Sequence, residues 1–111
     1  MIAYEVGTQQ GISSLVARER KVPEPGPGQA LVAVKAAALN HRDLMIASSK
    51  YGKPKPPERI PLGDGAGDVL AVGPGVTSVK PGDRVTAPHF TRWIDGAFEP
   101  TVFEGDAGSS M

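Results

Sequence analysis

Cysteine is absent from the 111 residues, so neither a disulfide nor a thiolate-held zinc can form within them. An excess of either charge is absent too: 12 acidic side chains balance 12 basic ones. A chain with no formal net charge carries no electrostatic footprint for nucleic acid or for an anionic membrane. No apolar run approaches the roughly 20 residues that a membrane-spanning helix needs. The N-terminus, MIAYEVGTQQ, also lacks the charged and apolar regions of a secretory signal. A cytoplasmic protein without nucleic-acid or membrane partners is the expectation. Aromatic residues make up only 5%, and Phe90, Trp93 and Phe98 cluster near the end without a clear period.

Glycine and proline, by contrast, are plentiful at 14 and 11 residues. They fall between β-branched runs, which is how turns punctuate a small barrel. A chain of this length forms one domain and buries roughly two-thirds of its unfolded surface.

Along the chain, residues 1–6 alternate weakly, as an edge strand does, and 13–22 (SSLVARERKV) suit a half-exposed strand. Residues 23–29 (PEPGPGQ) form a stiff turn. The apolar run 30–39 predicts a buried strand, whose only charge, Lys35, sits at a bulge or points outward. Residues 41–48 (HRDLMIAS) hold one short helical turn that Asn40 can cap. Residues 50–61 are too rich in lysine and proline for regular structure, and 66–72 and 84–87 read as strands separated by GPG and PGD turns. Asp83 is expected to order the second turn by accepting from nearby backbone N–H groups. Residues 101–111 (TVFEGDAGSSM) are small, acidic and glycine-rich, as a loop or frayed end is.

The run GDGAG (63–67) invites a dinucleotide-binding reading, and its context refuses it. The fingerprint G-x-G-x-x-G comes after a buried strand and opens a helix. Here Asp68 stands in place of the third glycine, and the preceding KPKPPERIP cannot be a central strand because proline donates no ladder hydrogen bond. The next segment, DVLAVGPGV, reads as a strand. Gly65, Ala66 and Gly67 are small either because backbone or cofactor approaches closely or because a tight turn enters the strand, and the two readings are compatible.

The ordered set PEPGPGQ, QALVAVKAAALNHRDLMI, GAGDVLAVGPGV and VKPGDRV resembles the N-terminal, GroES-like part of medium-chain dehydrogenases/reductases. That superfamily includes zinc alcohol dehydrogenases and quinone oxidoreductases. The resemblance covers residues 1 to about 89, and GDGAGDV is closest in flavour to a zinc-poor subgroup. It implies a mainly β fold: a partly open GroES-like barrel with short helical segments, incomplete at its C-terminus. Residues 1–111 would be the N-terminal part of that domain, with the closing strands and the Rossmann domain absent from this chain.

In zinc-dependent relatives the position of Asn40 carries a cysteine ligand, that of Gly63 a histidine ligand and that of Asp64 a glutamate. An amide is a poor zinc ligand and glycine offers none, so zinc is not expected and no residue is assigned to a metal. His41, Asp43, Asp64 and His89 lack any metal-ligand spacing, and two scattered histidines are more often ordinary surface or core residues. The resemblance then implies an NAD(P)H-dependent oxidoreductase that passes hydride directly to an enone, quinone or carbonyl substrate. Asn40 and Arg42 would be catalytic; Asn40, His41 and Arg42 would face the cofactor; Tyr51 would line the substrate entrance. Arginine suits this place because its fork fits a phosphate or a carbonyl oxygen. The plainer alternative stays open, with Asn40 only capping the helix, His41 and Arg42 solvated and Tyr51 an ordinary surface residue. Asp43 reads as structural, paired with an arginine or with backbone amides. A different class of function is also open, a non-catalytic interaction module, since fold does not fix function. An open barrel edge favours pairing between copies, so a homo-oligomer is expected.

Overall fold

A computed structural model describes residues 1–91, 93 and 95–101. The order of elements is β1 (Ile2–Glu5), a 3₁₀ turn (Ile12–Ser14), β2 (Val16–Glu19), β3 (Ala30–Ala38), α1 (His41–Ala47), β4 (Asp64–Val72) and β5 (Arg84–Thr86). Strands β1 and β2 form one sheet, and β3, β4 and β5, in that order, form another. The architecture is mainly β, and among the described residues the sheets do not close into a barrel.

The alternation in β1 places Ala3 and Glu5 inside and Ile2 and Tyr4 outside. A buried carboxylate needs a partner, and Arg20 supplies it, its Nε donating to Glu5 Oε1 at 2.7 Å. The strand expected over 13–22 is shorter, beginning only at Val16. Ser14 is the reason: its hydroxyl donates to Gly11 O at 2.7 Å and accepts from Gln10 N at 3.1 Å. Local bonding of this kind competes with a strand ladder. The loop 50–61 has no helix or strand, as its prolines predict, yet it is clipped to the N-terminal segment. The Gln9 amide donates to Lys55 O at 2.6 Å and accepts from Lys55 N at 3.0 Å.

Strands β3 and β4 pair antiparallel from Ala30 opposite Val72 to Ala38 opposite Asp64, with register shifts between Leu31 and Val32 and between Val34 and Ala36. Lys35 therefore lies at a bulge, as expected, and it is exposed. The expected burial of the whole of β3 is not met. Only Leu31–Ala33 are partly covered, while Val34 is 65% exposed. An apolar run is buried only where a second layer covers it, and among the described residues nothing covers this end of the sheet. An apolar trough of about 680 Å³ lies open there, walled by Ile2 and Tyr4 on one side and Leu31, Val34 and Leu70 on the other. The small core lies elsewhere, with Val6, Ile46 and Val69 fully buried.

The GDGAG run belongs to β4 and its approach, not to a loop that opens a helix. At Gly67 the reason for glycine is close approach: a Cβ would strike the Ala33 carbonyl oxygen and come within 2.9 Å of Val32 Cγ1. Gly67→Ala is therefore expected to destabilise by about 1–3 kcal/mol, the usual cost of overpacking. Gly65→Ala is the control, since its Cβ would meet nothing closer than 3.8 Å. Urea denaturation checks this, with a lower midpoint at unchanged slope expected for Gly67→Ala alone. The predicted loop or frayed end at 101–111 lies, apart from Thr101, outside the described residues.

Candidate functional site

Strand β3 runs directly into α1, with Asn40 at the N-cap in an extended conformation (φ −116°, ψ 153°). The Asp43 carboxylate reaches back and accepts from the Asn40 backbone N–H at 2.8 Å, the acidic half of a capping box. This is the structural role expected of Asp43, which is buried, and Ile46 and Ala47 anchor the same helix in the core. The Asn40 side chain also reaches the neighbouring strand: Nδ2 donates to Asp64 Oδ2 at 2.6 Å, joining the end of β3 to the first residue of β4.

Within the first turn of the helix, two of the contacts of Arg42 define the site. Its Nη1 lies 2.9 Å from His89 Nε2, and its guanidinium carbon stands 5.9 Å from the centre of the Tyr51 ring, within cation–π range. Arginine has no acceptor, so Arg42 donates and His89 Nε2 accepts, which requires a neutral imidazole. The His89 ring is itself held edge-on to Phe90, with centroids 4.6 Å apart. Below the pair lies Gly63. A Cβ there would overlap Arg42 Nη2 and come within 2.8 Å of His89 Nδ1. The preceding Leu62 has φ +78°, a left-handed conformation that is costly for a branched side chain. The space over Gly63 is thus filled by a guanidinium and an imidazole drawn from segments 47 residues apart.

Of the residues singled out from the sequence, Asn40, Arg42 and Tyr51 come together at this end of the β3–β4 pair, and Asp64 joins them. His41 opens the helix as an exposed residue, beside the cluster and not within it. The role of His89 was not legible in the sequence, where it stands as one of two scattered histidines. The available signal was its place just after PGDRV, the strand that pairs with β4 beside Gly65 and Ala66. Among the described residues no group of three or more His, Asp or Glu side chains could hold a metal ion.

The sequence pattern of the family described as alcohol dehydrogenase GroES-like domain matches residues 26–103. A zinc-type alcohol dehydrogenase-like protein of Schizosaccharomyces pombe is 40% identical over 94 residues, which are 84% of this chain and 27% of that protein. The pikromycin polyketide synthase component PikAII of Streptomyces venezuelae is 42% identical over 104 residues, 88% of this chain and 2% of that protein. Among solved structures, an Escherichia coli quinone oxidoreductase complexed with NADPH superposes with a TM-score of 0.71 at 32% identity. That match covers 78% of this chain and 26% of the other. The chain therefore spans about a quarter, or far less, of the relatives it matches. With the family pattern matched over most of its length and the sheets arranged as described, the chain belongs to the alcohol dehydrogenase GroES-like domain family of the medium-chain dehydrogenase/reductase superfamily.

Proposed function

We propose that the protein carrying this chain is a zinc-independent oxidoreductase that uses NADH or NADPH to reduce an enone, quinone or other carbonyl compound. The observation that carries this reading is the guanidinium of Arg42, fixed over Gly63 by His89 and Tyr51 beside the Asn40–Asp64 bond. A zinc ion does not fit the side chains present. The Asn40 amide is bonded to Asp64, Gly63 has no donor, and the Nε2 lone pair of His89 is directed at a cation. A nicotinamide dinucleotide fits better: His41 is exposed, and Asn40 and Arg42 offer N–H donors to its polar groups. When bound, the cofactor supplies a hydride.

The chain's own residues do the rest. Arg42 donates to the substrate oxygen as that oxygen gains negative charge, the kind of preorganised stabilisation that favours the transition state. Asn40, held by Asp64, has a second amide N–H to offer to cofactor or substrate, and Tyr51 forms the apolar wall of the entrance. The proton that completes the reduction at oxygen comes from solvent. Among the described residues no helix is long and apolar enough to cross a membrane. A cytoplasmic location is part of the same proposal.

The test is metal analysis of the whole protein together with turnover after dialysis against a chelator. NAD(P)H-dependent reduction of a quinone or enone at an unchanged rate, with less than stoichiometric zinc, is expected. Stoichiometric zinc without which turnover stops would refute the reading.

A further inference from the structure

We infer that His89 is a positioning residue, a neutral imidazole whose Nε2 holds the Arg42 guanidinium in the space over Gly63. Three observations converge on it. The Arg42 Nη1 to His89 Nε2 distance of 2.9 Å leaves only the guanidinium as donor. The imidazole is not free to follow a wandering arginine, since its ring packs edge-on against Phe90 at 4.6 Å. Gly63 is the matching concavity: a Cβ there would collide with Arg42 Nη2 and approach both His89 Nδ1 and Cε1, at 2.8 and 3.0 Å. Guanidinium, imidazole and the missing side chain at 63 therefore form one fitted unit, to which Tyr51 adds a π-face at 5.9 Å from the guanidinium carbon.

Long arginine side chains lose much rotamer freedom when fixed. A second acceptor that selects one rotamer before substrate arrives removes that cost from the catalytic step. A carboxylate in place of His89 would neutralise the guanidinium. A neutral ring orients it and adds no countercharge of its own, which suits donation to a substrate oxygen. That last consequence rests on the reductase reading above, whereas the orientation of Arg42 does not.

Acceptance at Nε2 fixes the tautomer, and this gives a measurement independent of turnover. With Nε2 accepting, the proton of the neutral ring must sit on Nδ1. Nitrogen-15 spectra of the histidine-labelled whole protein at about pH 8, well above the ordinary histidine pKa, are assigned by the signal lost in His89→Gln. They are expected to show His89 as the Nδ1–H form. In Arg42→Ala that form should give way to a mixture or to Nε2–H. Kinetics supply the second arm. His89→Leu should lower kcat about tenfold with little change in KM, the size of a lost hydrogen bond to a charged group. His89→Gln, whose amide oxygen can accept, should recover to within about threefold. Adding His89→Leu to Arg42→Ala should cost nothing further, since both act through one group.

An Nε2–H tautomer in the folded protein would overturn the inference whatever the kinetics show. So would full additivity of the two substitutions. A protein with the Nδ1–H form and no reductase activity would instead refute the functional reading and leave the pairing of His89 with Arg42 in place.

Discussion

Arg42→Ala should lower kcat/KM for the carbonyl substrate by about 10²- to 10³-fold, the cost of removing one preorganised donor to a developing oxyanion. The loss should fall mainly on kcat, because the interaction strengthens as charge develops. Arg42→Lys should not restore activity. Lysine lacks the planar fork that reaches His89 and the substrate together, and it stacks poorly on Tyr51. The helix should survive the change: Asp43 still caps it and Ile46 still anchors it. Steady-state kinetics on variants with unchanged circular dichroism decide the matter. A loss smaller than about threefold, far below the usual cost of a lost oxyanion donor, would remove Arg42 from the chemistry.

The second large effect concerns these 111 residues expressed alone. Ile2, Tyr4, Val34, Leu39 and Leu70 are each more than half exposed, and the trough between the two sheets is open. Covering one Val or Leu side chain is worth about 1.5–3 kcal/mol, against a total domain stability of about 5–15 kcal/mol. Several such side chains left in water are enough to erase a domain's margin. The isolated chain should therefore associate with rising concentration, pairing open strand edges and closing the trough between copies, or else melt at moderate temperature. Sedimentation across a concentration series and a thermal melt test this together. A monomer that melts cooperatively above about 65 °C, beyond the usual mesophile range, contradicts it.

Features set by neighbours in sequence were legible before the structure. Asn40 sits at the N-cap, Lys35 at the bulge, and Asp83 accepts from Lys80 N at 3.0 Å within its turn, each as local residue chemistry requires. The family was legible from several short motifs in a fixed order. Features set by distant partners were not. Burial of Glu5 depends on Arg20, which comes back beside β1 only through the β1–β2 pairing. The exposure of Val34 depends on whether a second layer covers it, which the apolar run itself does not encode. Arg42 and His89 meet because β3, β4 and the segment after β5 end together, and neither residue type announces the other. Asn40 was legible as a cap, whereas its side-chain bond to Asp64 depends on strand pairing alone.

That pairing gives the site an unusual dependence. Ala38 faces Asp64 in the ladder, and Asn40 stands two residues further on, so its bond to Asp64 spans the last rung. A slip of one residue between β3 and β4 would shift Asn40 by about 3.3 Å and turn alternate side chains to the opposite face. The helix could still form and the ladder could still zip, yet the amide and carboxylate would miss each other and Arg42 would no longer sit over Gly63. Chemistry at this site therefore acts as a gauge of strand alignment. Insertions and deletions in either strand would silence it while leaving secondary structure nearly intact.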